Sequence, residues 1–239
     1  MSKHGKRYNA ATSLIDRESQ YTTDEAVVKV KKSATSKFDE SIELHIRTSA
    51  DPRHADQQVR GVASLPSGTG KTVKITVFVQ GEGISIAQSA GADYIGDDDL
   101  IKKIEGGWAE FDVSIATPDM MGKVSKLGKV LGRKGLMPNP KTGTVVAADD
   151  IERAINEARK GRVEFKLDKT SIIHLVVGKA SFEEDQLVEN ISSVVDHIVR
   201  ARPSGVKGEF ILSAHLTSTM GPSVPLNVAA LSEIKSDEL

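Results

Sequence analysis

Two stretches near opposite ends of the chain alternate apolar and polar residues. In residues 41–47 the even positions are apolar, and in residues 209–219 the even positions from 210 to 216 are apolar. A period of two predicts half-buried strands, because successive side chains of a strand point to opposite faces of its sheet. The predicted apolar face comprises Ile42, Leu44, Ile46, Phe210, Leu212, Ala214 and Leu216. The predicted polar face comprises Ser41, Glu43, His45, Arg47, Ser213, His215, Thr217 and Thr219.

Further elements are predicted before the second of these strands. Residues 163–167 and 172–177 have the pattern of a strand pair, separated by turn-forming residues 168–171. Ser181 and Glu184 have the spacing of a capping box, and the apolar stripe that follows predicts a helix. That stripe comprises Leu187, Ile191, Val194, Val195 and Ile198. Helices on one face of an antiparallel sheet form an α+β layer arrangement.

In the middle of the chain, strand and helix patterns alternate. The predicted strands are residues 73–79 and 111–116, and the predicted helices are residues 84–90, 98–105 and 119–131. Alternation of this kind is typical of a parallel, Rossmann-like sheet. The spacing G-x-G-x-x-G is absent between strand and helix, so we expect no dinucleotide there.

A parallel unit between two antiparallel stretches predicts an inserted domain. The fold class is therefore α/β, with an α+β split domain of residues 1–66 plus 161–239 and an inserted Rossmann-like α/β domain of residues 67–160. The chain crosses between them near Pro66 to Gly70 and near Lys160-Gly161. Two adjacent crossings that contain Gly and Pro predict a double-crossing hinge.

Composition narrows the chemistry available to these domains. The 239 residues are 38% hydrophobic and 27% charged, which is ordinary for a soluble globular protein. The chain has no Cys, so disulfides, thiolate catalysis and Cys-based metal sites are excluded and a reducing cytoplasm is expected. The sequence has no long apolar segment, so we expect neither a signal peptide nor a membrane span. The residues from Ser236 to Leu239 are interpreted as a solvated acidic tail.

The formal net charge of -1 does not favour nucleic-acid binding, which depends on clustered Lys and Arg. The distribution of charge does favour it. Residues 122–141 carry six Lys or Arg and no Asp or Glu, while residues 93–119 are strongly acidic. Each charged run also has the plain interpretation of a solvated face.

The run from Leu131 to Val145 is typical of a loop that lies against a polyanion, since it contains three Gly, two Pro and three cations. It resembles the signature of the L-one family of large-ribosomal-subunit proteins, which form the mobile stalk beside the tRNA exit site. The resemblance extends, in order, from Lys3 to about Leu226. It includes Lys37-Phe38-Asp39-Glu40-Ser41, Asp51-Pro52-Arg53, Val59-Arg60-Gly61, Gly91-Ala92-Asp93-Tyr94, Ala116-Thr117-Pro118-Asp119 and Thr217-Ser218-Thr219-Met220-Gly221-Pro222-Ser223.

The resemblance implies a function and a set of partners. Members of the family are structural constituents of the large ribosomal subunit that bind rRNA at the mobile stalk, assist release of deacylated tRNA from the exit site and repress translation of their own mRNA. The resemblance also implies the same split architecture and a monomer within the cytoplasmic ribosome. It implies no enzymatic activity, no cofactor and no membrane partner.

Candidate RNA-binding residues follow from chemistry and from the resemblance together. Short hydroxyl side chains can bond 2′-hydroxyls, base edges and phosphates, while a cation and an aromatic ring can pair and stack. By composition alone the same face could be merely solvated. The resemblance assigns RNA contact to positions matching Phe38, Ser41, Glu43, Lys166, Ser213, Thr219, Met220 and Gly221. The full predicted set is Lys37, Phe38, Ser41, Glu43, Arg53, Lys166, Ser213, Thr217, Thr219, Met220 and Gly221.

Charged members of the set have more specific expectations. A carboxylate repels phosphate, so Glu43 is expected to accept a hydrogen bond from a guanine or cytosine amino group or to orient a neighbouring cation. Arg53 and Arg60 suit bidentate phosphate contacts, or ion pairs with Asp51 or Asp56. A secondary contact to RNA or tRNA is predicted in the cationic run, at Lys123, Lys126, Arg133, Lys134 and Lys141.

Two rival interpretations concern other chemistry. Residues 65–72 match a phosphate-binding P-loop except at Leu65, but the β-branched run after Lys71 predicts a strand where that motif needs a helix. A nucleotide-dependent enzyme using Lys71 and Thr72 is therefore the alternative function. His45, His174 and His215 could converge on a sheet as metal ligands, although surface histidines are the simpler interpretation.

Overall fold

The computed structural model describes residues 5–233, and these form two compact units. The divisions fall between Gly70 and Lys71 and between Lys160 and Gly161. Unit 1 contains both outer segments of the chain, and unit 2 contains the continuous middle segment. The interpretation of Ser236 to Leu239 as an acidic tail concerns residues outside the described range.

The described elements are helices and strands in mixed order, as the predicted α/β class requires. In chain order the helices are α1 (Lys6–Thr12), α2 (Thr23–Ser33), α3 (Gly83–Ser89), α4 (Asp98–Glu105), α5 (Pro118–Val124), α6 (Gly128–Lys134), α7 (Ile151–Gly161), α8 (Glu184–Arg200) and α9 (Val228–Glu233). The strands are β1 (Ser41–Thr48), β2 (Arg60–Ser64), β3 (Ile75–Phe78), β4 (Tyr94–Gly96), β5 (Val113–Ala116), β6 (Arg162–Lys166), β7 (Ile172–Lys179), β8 (Ile211–Ser218) and β9 (Val224–Leu226).

Unit 1 is built on a four-stranded antiparallel sheet in the order β7-β1-β8-β9. The alternation predicted for β1 is confirmed, since Ile42, Leu44 and Ile46 are fully buried. Helices α2 and α8 pack on this apolar face and complete one continuous core. The polar side chains of β1 and β8 are left partly exposed on the opposite face.

A second, two-stranded sheet pairs β2 with β6. The predicted pairing of residues 163–167 with residues 172–177 is therefore wrong, and only a single bridge between Leu167 and Ile173 joins these segments. Strand β2 was not predicted, because Gly61 interrupts its pattern. The glycine has a packing reason: a Cβ there would lie 2.7 Å from the ring of Phe165, which is buried against it.

Two smaller expectations for unit 1 are also wrong. Leu212 is 48% exposed, because a register shift between Arg47 and Thr48 leaves it outside the alternation of β8. The box that begins α8 does not use Ser181, whose hydroxyl donates to Asp39 instead. The N-cap of α8 is Glu183, two residues later, where Gln186 Oε1 accepts from the Glu183 N–H at 3.0 Å.

Unit 2 contains a parallel sheet in the order β4-β3-β5, and its predicted parallel pairing is confirmed. Helix α4 has its predicted bounds. The single helix predicted over residues 119–131 is instead two short helices, α5 and α6, separated by the 3-10 turn Ser125–Leu127. Gly135 ends α6 in the left-handed conformation with φ 71°, which glycine adopts without strain.

The two segments of unit 1 meet where the chain leaves it and returns. The Leu65 N–H donates to the Gly161 carbonyl at 2.9 Å. Gly161 has φ 100°, and a Cβ on it would lie 2.7 Å from Gly68 Cα. Glycine is required there for both reasons. Within residues 5–233, no helix combines the length and the apolar character that crossing a bilayer would require.

Candidate nucleic-acid interface

Two predicted site residues, Ser41 and Thr219, meet a third polar residue, Lys179, at one end of the main sheet of unit 1. Ser41 begins β1, and Thr219 follows β8 directly. The Thr219 hydroxyl donates to the Ser41 carbonyl at 3.2 Å and accepts from the Ser41 N–H at 3.0 Å. The Ser41 hydroxyl accepts from Lys179 Nζ at 2.9 Å. Lys179 was not among the predicted site residues, and its place opposite Ser41 follows from strand register alone.

Two large apolar side chains project from the loops at this same end. Phe38 is 54% exposed and Met220 is 52% exposed. Gly221 follows Met220, and a Cβ on it would overlap Ser218 Oγ and lie 3.1 Å from Ser33 Oγ. An exposed ring and thioether beside hydroxyls and an ammonium group can stack on a base while the polar groups bond its backbone.

A buried carboxylate lies beneath these loops. Glu40 is 2% exposed, and its two oxygens accept from the Ser36 N–H at 2.8 Å and from the Met220 N–H at 2.9 Å. Burial acts to raise the pKa of the Glu40 carboxyl, but the hydrogen bonds that it accepts, first among them those from the Met220 and Ser36 N–H groups, together outweigh burial, and the pKa lies below its ordinary value. Sequence reasoning gave Glu40 no role, because its partner Met220 is 180 residues away.

The middle of the polar face carries Glu43 beside Thr217 and a row of histidines. In the register of β7, β1 and β8, His174, His45 and His215 lie side by side. His45 Nδ1 is 2.8 Å from His174 Nδ1, and Glu43 Oε2 is 3.8 Å from His45 Nε2.

The environments of His45 and His215 disfavour a charged imidazole. Burial and the charge of His174 lower the pKa of His45, against an opposing effect of Glu43. Burial also lowers the pKa of His215. The three histidines do converge, but among the described residues no group of three or more His, Asp or Glu side chains has a metal-binding arrangement.

The other predicted site residues of unit 1 lie on other parts of the sheets or in loops. Ser213 is opposite Arg47, towards the other end of β1. Lys166 is exposed at the end of β6, in the second sheet. Arg53 is exposed in the loop after β1, where its N–H donates to Asp51. Lys37 is exposed beside Phe38.

One predicted ion pair needs correction. Arg60 pairs with neither Asp51 nor Asp56. Its Nη2 is 2.6 Å from Glu164 Oε1, because β2 pairs with β6 and brings these side chains together across the ladder.

The secondary candidates occupy α5, α6 and the turns that follow them in unit 2. Lys123 Nζ is 2.7 Å from Asp98 Oδ1, so its charge is partly neutralised within the unit. Lys126 and Lys134 are exposed, and Arg133 is exposed with its Nε donating to the Lys129 carbonyl. Lys141 lies in the 3-10 turn Pro140–Thr142.

The P-loop-like segment has no phosphate-binding geometry. Residues 71–74 are irregular and lead into β3, so no helix N-terminus follows Lys71. Lys71 Nζ is 2.5 Å from Asp112 Oδ1. This segment therefore lacks the context in which a P-loop binds nucleotides.

Comparison with known proteins gives a consistent result. The family model described as "Ribosomal protein L1p/L10e family" matches residues 30–222. A protein named large ribosomal subunit protein uL1 from Dehalococcoides mccartyi is 57% identical over 97% of this chain and 98% of its own length. Proteins of the same name from Thermomicrobium roseum and Chloroflexus aggregans are 55% and 52% identical, each over 98% of this chain and over 97% and 100% of their own length. These names describe ribosomal proteins and not enzymes.

Proposed function

Because this chain belongs to the ribosomal protein L1p/L10e family, we propose that it is a structural constituent of the large ribosomal subunit and binds rRNA there through the polar sheet face of unit 1. One observation carries the choice of face. Phe38 and Met220 are more than half exposed at the end of the sheet where Ser41 and Lys179 supply a hydroxyl and an ammonium group. That combination offers stacking surface and phosphate contacts together.

The charge of the chain is compatible with this proposal. A net charge of -1 gives little long-range attraction to RNA, so local contacts supply most of the affinity. Hydroxyl and main-chain groups near Ser41 and Thr219 are neutral. We therefore expect the affinity to fall with salt less steeply than for a wholly basic protein, for which a slope near -10 is typical when about ten phosphates are contacted.

The test begins with RNA identification. The protein is crosslinked to RNA in lysate and the attached fragment is sequenced, and that fragment is then used in equilibrium titrations. Phe38→Ala should weaken binding on the order of 10- to 100-fold, as loss of one stacked base does. Leu14→Ala is the matched control, because Leu14 is also an exposed apolar residue of unit 1, at 50% exposure, but lies outside the site.

Two outcomes would contradict the proposal. Crosslinked fragments with no enrichment of large-subunit rRNA would remove the assignment to that RNA. Equal affinities of Phe38→Ala and Leu14→Ala would remove the proposed face while leaving RNA binding intact.

A finer part of the proposal concerns tRNA. The split domain, residues 1–66 plus 161–239, is proposed to grip rRNA, while the inserted domain of residues 67–160 moves about the hinge and assists departure of deacylated tRNA from the exit site. We propose that its exposed cations Arg133 and Lys134 contact tRNA.

Charge reversal separates this role from a general effect of charge. Arg133→Glu with Lys134→Glu should slow tRNA departure from the exit site of reconstituted ribosomes. Lys102→Glu with Lys103→Glu changes the charge of unit 2 by the same amount at another exposed place and should have little effect. Equal rates for the two double variants would contradict the assignment.

Translational repression of its own mRNA is the last part of the proposal, and it would use the same face of unit 1. A reporter preceded by the leader of the protein's own messenger should be repressed when wild-type protein is supplied. Phe38→Ala should relieve that repression. Repression that persists with Phe38→Ala would indicate a different surface.

A further inference from the structure

The segments that carry Phe38 and Met220 are far apart in the chain and irregular in conformation. Phe38 lies between α2 and β1, and Met220 lies between β8 and β9. Backbone groups of irregular segments have no ladder partners, so each needs another acceptor to hold its shape. Glu40 supplies an acceptor to both segments, with one oxygen for the Ser36 N–H and the other for the Met220 N–H.

We infer that Glu40 is a positioning residue for RNA binding, which holds the Phe38 loop and the Met220 turn in one fixed relationship. The inference rests on the function proposed above and deepens it. Glu40 is 2% exposed, so direct contact with RNA is not its role.

The two N–H groups need a side chain with two acceptor oxygens, which a carboxylate provides. An amide of the same shape has one acceptor oxygen and one NH2 group. In Glu40→Gln, one of the two N–H groups therefore faces a donor, and the segment to which it belongs loses its anchor. The main chain of Glu40 makes a third hydrogen bond, in which its carbonyl accepts from the Ala180 N–H at 2.8 Å. This bond holds Glu40 against the residues that precede α8.

The test uses the full-length protein and the rRNA fragment identified by crosslinking. Glu40→Gln should weaken binding at least tenfold. Ile198→Val serves as the stability control, since it trims a fully buried residue of the same core. Ile198 lies 14 residues into α8, about 21 Å of helix from its start. If Ile198→Val lowers Tm about as much as Glu40→Gln does but leaves RNA affinity unchanged, the loss of affinity in Glu40→Gln is not caused by a general loss of stability.

Double variants give the decisive measurement. If Glu40 acts through the two segments, Phe38→Ala and Met220→Ala should each cost at most about a third as much affinity in the Glu40→Gln background as in wild type. Ser213→Ala, on β8 and outside both segments, should cost the same in both backgrounds. Full additivity at Phe38 and Met220 would overturn the inference, as would a loss of less than twofold for Glu40→Gln alone.

A measurement on the wild-type protein covers the case in which Glu40→Gln fails to fold. The Ser36 and Met220 amides should be protected from hydrogen exchange in the free protein, although both lie outside helices and strands. Rapid exchange of either amide would overturn the inference. Failure of the wild-type protein to prefer the rRNA fragment over a scrambled hairpin would instead remove the proposed function, and protection of both amides would still be observed.

Discussion

Thr219 and Ser41 bind each other through three hydrogen bonds. The Thr219 N–H and hydroxyl both donate to the Ser41 carbonyl, at 3.0 and 3.2 Å, and the Ser41 N–H donates to Thr219 Oγ1 at 3.0 Å. The hydroxyl proton of Thr219 is thus used within the protein. The Ser41 hydroxyl, which accepts from Lys179, keeps its own proton available for an RNA acceptor.

Thr219→Val should therefore reduce stability as well as RNA affinity. The substitution keeps the β-branched shape and removes an acceptor from Ser41 and a donor to it. We expect a loss of about 1 kcal/mol in the free energy of unfolding, measured by urea titration. Thr219→Ser keeps the hydroxyl and should lie close to wild type. If the Val and Ser variants unfold at the same urea concentration, the hydroxyl bonds contribute nothing.

Gly221→Ala should destabilise the turn through steric overlap. A Cβ at Gly221 would overlap Ser218 Oγ, and we expect a cost of about 1 to 3 kcal/mol in the free energy of unfolding. Ser218→Ala removes the overlapped oxygen, so adding it to Gly221→Ala should restore part of the loss. A double variant that is no more stable than the sum of the single changes would show that the strain lies elsewhere.

The histidine row should make stability depend on pH below neutrality. Burial and the charge of His174 hold the pKa of His45 below its ordinary value of 6.5, against the attraction of Glu43, and burial lowers the pKa of His215. In the unfolded chain both histidines bind protons more readily. Their contribution is therefore present above pH 6.5 and is lost as pH falls through their folded pKa values.

The measurement is urea unfolding at pH 8, 6 and 5. Wild type should lose stability across this range, and His45→Gln with His215→Gln should lose less. His54→Gln is the control, because His54 is an exposed histidine of unit 1. Asp168, whose pKa is lowered to about 2 chiefly by a hydrogen bond from Thr170, stays ionised throughout the range and does not contribute to the slope. Identical slopes for wild type and the double variant would contradict the expectation.

Some features of the fold could be predicted because a local pattern encodes them. Burial of Ile42, Leu44 and Ile46 follows directly from their alternation with polar residues. Helix α2 also has a local signal in the sequence. Thr22 and Glu25 form a capping box in which the Glu25 N–H donates to Thr22 Oγ1 at 3.4 Å.

Other features depend on contacts between distant parts of the chain. The bulge that exposes Leu212 arises from the register of β8 against β1, and strand β2 depends on Phe165, about a hundred residues later. The pairing of the Thr219 hydroxyl, a predicted RNA contact, with the backbone of Ser41 is of the same kind, because Ser41 lies 178 residues earlier. Periodicity contains no information about such pairs.

Removal of the middle segment tests the proposed inserted domain. Replacing residues 71–160 with a short Gly/Ser linker should leave a soluble protein with one cooperative unfolding transition, because Gly68 and Gly161 are already in contact. It should retain preference for its rRNA fragment over a scrambled hairpin. Circular dichroism and RNA titration check the two expectations. An unfolded product would contradict the split-domain proposal, and a folded product without preference would move recognition to unit 2.

The central position of β1 has a consequence for synthesis. The strand is made before its two neighbours in the sheet, β7 and β8, which follow about 130 and 170 residues later along the chain. Unit 2 is continuous and can fold while the chain is still growing. Strand β1 must wait with its apolar side chains unpaired until both neighbours have been made, and that interval is when the nascent chain is most exposed to aggregation.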